Sequence, residues 1–120
     1  HNLLFYLIEQ NINKIQFLHI MVRPQQNNKT TKQQNNKTFS MILYIYDAVV
    51  KGCKQKSRKR ASRALIELIN ALNFEEREMA QQFFRLYRYC LDRVNMGKFD
   101  QAEEIISGLR EAWYEKINQY

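Results

Sequence analysis

The stretch NFEEREMAQQFFRLYRYCLDRVNMG, residues 73–97, decides the fold. Met79, Phe83, Leu86 with Tyr87, Cys90 and Val94 recur at three- and four-residue steps, the period of a helix with one apolar face. Asn73 followed by Glu76 has the form of a capping box, in which the amide accepts from the backbone at the third position while the glutamate reaches back. Gly97 is free to take the left-handed conformation that ends a helix. At about 1.5 Å per residue this is the longest rod the chain predicts.

The same pattern continues on both sides. Downstream, Asp100 and Glu103 repeat the capping-box spacing and open a helix whose stripe is Phe99, Ala102, Ile105 with Ile106, Leu109, Ala112 with Trp113, and Ile117. Upstream, Ala61, Leu65, Leu68 or Ile69, and Leu72 form the stripe of a helix that Ser57 caps. Gly52 and the basic stretch from Lys54 to Arg60 mark the turn before it. Ahead of that turn, a helix from about Phe39 to Lys54 carries Ile42, Ile45, Tyr46, Val49 and Cys53 on one face, with Ser40 or Thr38 as its cap. Breaks this short force consecutive helices to lie antiparallel. The reading is all-α: an up-down-up-down antiparallel four-helix bundle over residues 39–120, preceded by an extra N-terminal helical segment and a flexible linker.

Those preceding residues have a different composition. Residues 3–22 are rich in apolar side chains, but Glu9, Gln10, Asn11, Asn13, Lys14 and Gln16 interrupt them, which is too polar to span a bilayer. No cationic start precedes the run and no small-residue cleavage site follows it, a poor fit to a signal peptide. Apolar residues at 4, 8, 12, 15 and 18 suit an amphipathic helix able to dock on the bundle, on a membrane surface or on another chain. From residue 23 to 38 there is no apolar side chain, and the run Gln25-Gln26-Asn27-Asn28-Lys29-Thr30 recurs identically at 33–38. Such a segment buries nothing against its ordering entropy, so residues 23–38 are expected to be a low-complexity linker and residues 1–22 an amphipathic segment of unknown role. The chain opens on His1, with Met21 and Met41 downstream, which suggests a fragment or upstream sequence foreign to the domain.

Composition excludes several classes of function. Apolar residues make up 45% of the 120, enough for one modest core whose stability is expected to be marginal until a partner adds surface. The net charge of +7 is uneven, +4 in residues 1–40 and +3 in residues 41–120. Cys53 and Cys90 lie in apolar helical stripes without a second Cys or a His at metal-ligand spacing, which reads as buried reduced thiols in a cytosolic protein and no metal. Catalysis needs a nucleophile beside a base, paired carboxylates or a phosphate loop, and none of these patterns appears. Asp47, embedded between Tyr46 and Ala48, reads as a helix-surface acid and not as a catalytic carboxylate. No enzyme and no cofactor are expected.

Two kinds of surface remain. Tyr44, Val50, Ile66, Phe84, Tyr89, Leu91 and Tyr114 fall outside or at the margin of the core stripes, and a contiguous patch of them would seek a partner. Lys51, Lys54, Lys56, Arg58, Lys59, Arg60 and Arg63 form a basic cluster. It lacks interleaved aromatics and a recognition helix, so it reads as a solvated helix–helix turn, with a contact for an acidic partner surface as the second option.

The words Met41-Ile42-Leu43-Tyr44-Ile45-Tyr46-Asp47, Leu72-Asn73-Phe74, Leu86-Tyr87-Arg88-Tyr89-Cys90-Leu91, Gly97-Lys98-Phe99 and Leu109-Arg110-Glu111-Ala112-Trp113, in this order, resemble the FliS family of flagellin-specific secretion chaperones. The resemblance covers residues 39–120 and has no counterpart for residues 1–40. It implies a cytoplasmic four-helix bundle that binds the C-terminal segment of newly made flagellin, prevents premature polymerisation and helps deliver it to the flagellar export apparatus. It also implies a client groove near Tyr46 and Asp47, with Ile42, Val49 and Val50 beside them; Phe84, Tyr87 and Leu91 are further candidate partner-binding residues. No nucleic acid and no stable membrane insertion are expected, and the free protein is expected to be a monomer or weak homodimer. The alternative is a basic helical module for nucleic acid or a membrane surface. The family usually starts its first helix with Ser-Pro, behind a short segment whose Tyr covers the groove; Lys37-Thr38-Phe39-Ser40 lacks the proline and the repeat before it lacks an aromatic. Residues 3–22 are a candidate substitute for that lid.

Overall fold

The computed structural model describes residues 14–23 and 32–118, as five α-helices with no strand among the described residues. They are α1 (Lys14–Met21), α2 (Lys32–Lys54), α3 (Arg58–Ala71), α4 (Arg77–Asn95) and α5 (Phe99–Asn118). α2 packs on α3 and α5, and α4 packs on α3 and α5, so the four long helices close a ring around one core. α1 lies against α2 and α4.

The stripes read from the sequence face that core. Ile42, Tyr46, Val49 and Cys53 of α2, Ala61, Leu65 and Leu68 of α3, Phe83, Tyr87, Cys90 and Val94 of α4, and Ala102, Ile106, Leu109 and Trp113 of α5 are all buried. Val50 and Leu91, at the margin of their stripes, are buried too; Phe84 is partly buried, while Tyr44, Ile66, Tyr89 and Tyr114 remain exposed. The apolar face is therefore wider than a strict two-position seam, as a globular helix permits.

Two helix ends share one geometry. At the end of α4, Gly97 takes φ +77°, its N–H donates to Val94 O and the Lys98 N–H donates to Arg93 O, the paired bonds of a Schellman ending. At the end of α2 the left-handed residue is Lys56, φ 52°, with Lys56 N–H to Cys53 O and Ser57 N–H to Gly52 O. Gly52 thus lies inside α2, not in the turn. Its lack of a side chain serves packing: a Cβ there would meet the Ala61 backbone nitrogen at 2.7 Å. Ser57 then starts α3, its Oγ accepting from the Arg60 N–H at 3.2 Å, the cap expected from the sequence.

Two helix starts differ from expectation. α2 begins at Lys32, seven residues before Phe39, so the second copy of the polar repeat is helical. Once a packed helix exists, adding a residue at its end costs little, because the nucleation penalty has been met further along. Thr38 and Ser40 consequently lie inside α2, where Thr38 Oγ1 donates back to Gln34 O and caps nothing. α4 begins at Arg77, with Glu76 at its cap position making no side-chain bond, so Asn73 and Glu76 form no capping box. The amphipathic positions 4, 8 and 12, Pro24 and the first repeat copy lie outside the described residues, as does the side chain of Ile117.

Candidate functional site

α1 plugs the core of the bundle. Its buried face is Phe17, Leu18, Ile20 and Met21, so of the expected stripe only position 18 is seen to point inward, and Phe17, Ile20 and Met21 join it. The Phe17 ring sits 3.7 Å, centroid to centroid, from Trp113 of α5 and stacks at 5.0 Å on Phe39 of α2. Phe83 of α4 closes the other side of Trp113 at 6.2 Å. Aromatic rings from three long helices thus line a slot that one ring fills.

One turn further along α1, Met21 meets two hydroxyls. Tyr46 and Tyr87 share a hydrogen bond of 2.6 Å, Tyr87 Oη donates to Met21 Sδ at 3.2 Å, and Tyr46 Oη lies 3.8 Å from the same sulfur. A consistent proton arrangement has Tyr46 donating to Tyr87 and Tyr87 donating to the thioether, which satisfies both buried phenols with one soft acceptor. Burial drives both phenols well above their ordinary range, with the neighbouring tyrosine raising Tyr87 further. Both remain neutral donors at any physiological pH. Trp113 Nε1 approaches Tyr46 closely enough to favour the phenolate slightly, yet makes no hydrogen bond of good geometry.

The end of α1 is latched as well as packed. Asn73 donates from its backbone N–H to Ile20 O at 2.9 Å and from Nδ2 to His19 O at 2.8 Å, while its Oδ1 accepts from the Glu75 N–H. The Arg23 N–H donates to Ala71 O and its guanidinium to Asn70 O. Carbonyls left over at two helix C-termini are thereby satisfied by one segment joining the other. Asn73 is the only buried polar residue recorded among the described residues, and this double contact accounts for it.

The residues expected to bind a partner are divided by this arrangement. Tyr46 and Tyr87 touch α1 directly; Ile42, Val49, Val50 and Leu91 belong to the same buried cluster; Phe84 is partly buried and meets Phe74 edge-on at 5.9 Å. Asp47 is half-buried at the side, 3.2 Å from Lys51 Nζ and 4.0 Å from Arg110 Nε of α5. Phe17, Phe39, Met21 and Trp113 were missed as site residues. The spacing of apolar residues within 3–22, and the expectation that this segment replaces a lid over the groove near Tyr46, pointed towards α1 on α2; nothing pointed to Trp113 of α5 as part of its seat. Cys53 and Cys90 are free and buried, their thiols pushed up to about 11 and about 12, first by burial. Among the described residues no group of three or more His, Cys, Asp or Glu could hold a metal ion, and no helix is long and apolar enough to cross a membrane.

The description "Flagellar protein FliS" belongs to a family model that matches residues 52–120, more than half of the chain. The chain belongs to the FliS family. Among curated proteins and among solved structures, none matches. The matched stretch takes in the end of α2 and all of α3, α4 and α5, so it contains Tyr87, Leu91, Asn73 and Trp113. The first-helix word Met41–Asp47 and all of α1 precede it. FliS is a family of helical bundles and of flagellar chaperones, not of enzymes, which gives this chain a flagellar chaperone role in general terms.

Proposed function

We propose that this FliS-family chain is a cytoplasmic export chaperone that holds the C-terminal segment of flagellin in the inter-helix cleft occupied here by α1. On this reading Tyr46 and Tyr87 offer hydroxyls to the client, Ile42, Val49, Val50, Phe84 and Leu91 offer apolar surface, and Asp47 fixes a basic or amide group at the rim. The client is kept from polymerising early because its assembly segment is covered, and it is then passed to the flagellar export apparatus. The free chaperone is a monomer or weak homodimer. The observation that carries the reading is α1 itself. A short helix from outside the family-matched stretch fills an aromatic slot and two hydroxyl sites, so the cleft accepts a helical segment by chemistry that another segment can copy. A segment ordered only on binding gives up part of its affinity to that ordering, which keeps it releasable for export.

If α1 and client compete, the apparent client affinity is the intrinsic one reduced by the fraction of molecules with the cleft open. Phe17→Ala and Met21→Ala in the full chain should therefore tighten binding of a peptide from the C-terminal end of the host's flagellin, by about tenfold for each 1.4 kcal/mol of α1 docking removed. Isothermal titration should show weak salt dependence and a negative heat-capacity change. Unchanged affinity in both variants, with helicity retained by circular dichroism, would remove α1 from the cleft reading. Binding that instead falls steeply with salt would favour the nucleic-acid or membrane-surface module, for which the cluster from Lys51 to Arg63 is the supporting feature.

A further inference from the structure

A second groove runs along the outside of the bundle between α2 and α3, and it shares none of the residues assigned to the client cleft. Its volume is about 490 Å³. Met41, Tyr44, Ile45 and Ala48 form one wall, and Ala64 lies opposite on α3. These α2 positions form a separate stripe from the buried Ile42, Tyr46 and Val49, and they are too apolar to be plain solvent surface: Tyr44 is 72% exposed and Met41 47%. Beside the α2–α3 turn, Gly52 lets α2 come against the backbone of Ala61. Lys51, Arg60 and Arg63 line the groove near that turn. They belong to a run, 51–63, with seven cations and no acid. Glu67 is the one acid in the lining, and Lys51 alone of the three lies in a salt bridge, with Asp47.

The geometry points to this groove as a docking site for an amphipathic helix of a partner protein, apolar on the face that enters and acidic at the end that meets the α2–α3 turn. The four apolar positions of α2 span eight residues, about 10 Å of helix axis, which matches two turns of an incoming helix with aliphatic residues at i, i+3, i+4 and i+7. Ala48, Gly52 and Ala64 keep the floor low enough for that helix to approach. Charge sets the direction. The partial negative charge of a helix C-terminus, reinforced by Asp or Glu in its last turns, belongs beside Lys51, Arg60 and Arg63, so the C-terminal end of the docked helix lies at the turn. A nucleic acid would place phosphates on the cations but leave Met41, Ile45 and Ala48 uncovered, and it is the less complete match.

The probe is a synthetic helix of about 16 residues with Leu at i, i+3, i+4 and i+7 and Glu in its C-terminal half, titrated by fluorescence anisotropy into the full chain. Its twin carries Lys in place of Glu. The Glu peptide should bind at least about tenfold more tightly than the Lys peptide at physiological salt. Arg60→Glu with Arg63→Glu should reverse that preference, and Tyr44→Ala should weaken the Glu peptide several-fold. All three side chains are exposed, and glutamate at position 60 lies in the first turn of α3, where negative charge is favoured, so these variants keep their fold. They should leave flagellin-peptide binding unchanged, which separates this groove from the client cleft. Equal binding of the two peptides, indifference to all three substitutions, or tighter capture of a short DNA duplex than of the Glu peptide would each overturn the assignment.

Discussion

Tyr46 carries two meanings at once. Read along the sequence it is the last aromatic of an apolar word and a natural contact for a client; in the folded chain it is fully buried and hydrogen-bonded to Tyr87, with the sulfur of Met21 beside it. Both descriptions hold if the contact is with a segment that can leave. Asn73 shows a similar change of role, from a helix-capping residue to the latch that holds the carbonyls of His19 and Ile20. At Gly52 the packing leaves no room for a side chain. Alanine in its place would drive a Cβ to 2.7 Å from the Ala61 nitrogen and 3.0 Å from its Cα, both backbone atoms that cannot swing aside. Gly52→Ala should destabilise the chain by about 1–3 kcal/mol in urea unfolding, despite the better helix propensity of alanine. A neutral or stabilising result would show that α2 and α3 separate freely at this crossing.

At the scale of the element, the informative comparison is between the two Schellman endings. α4 uses Gly97, which has no steric penalty at φ +77°, whereas α2 uses Lys56 at φ 52°, where a Cβ meets the backbone. The α2 ending is held by its two hydrogen bonds and by the Ser57 cap that immediately follows. Lys56→Gly should raise stability, by up to about 1 kcal/mol, while the β-branched Lys56→Val should lower it. Thermal melts of the two variants moving in the same direction would contradict the left-handed assignment. The early start of α2 at Lys32 belongs to this scale too: seven polar residues precede Phe39 in the helix, extended from the packed turns that follow them.

For the whole molecule, the buried titratable groups make stability a function of alkaline pH. Cys53 and Cys90 are raised to about 11 and about 12 against an ordinary 9.0, and Tyr46 and Tyr87 stand well above 10.0, burial being the first cause in each. In all four the folded state holds its proton to higher pH than the unfolded chain. Their contribution is therefore fully present below pH 9.0 and is lost as pH rises through the folded values, with a slope of about 1.4 kcal/mol per pH unit for each thiol in that window. Urea midpoints should be level up to about pH 8.5 and fall progressively towards pH 11, in parallel with the onset of thiol alkylation. A flat profile across that range would mean that the thiols reach solvent in the folded chain. The docking of α1 is the other property of the whole: helices far apart in sequence, α2, α4 and α5, contribute Phe39, Tyr46, Tyr87 and Trp113 to one seat, and no one of them forms it alone.

The bundle was legible because its determinants are local. Helical spacing in residues 39–113, the Ser57 cap and the Gly97 ending are each set within a few residues of chain, and the same spacing named Ile42, Tyr46, Val49 and Tyr87 as inward-facing. Of the family words, Leu72-Asn73-Phe74, Leu86–Leu91, Gly97-Lys98-Phe99 and Leu109–Trp113 lie within the match over residues 52–120, and Met41–Asp47 precedes it. What pairs distant residues was not legible. Periodicity says that a face is apolar but not what will cover it, so the seat of Phe17 on Trp113, the latch at Asn73 and the close approach of Gly52 to Ala61 appear only when the helices are assembled. Side-chain contacts across 47 to 96 residues of sequence depend on how whole helices cross, and that is decided by the summed packing of every face in the core.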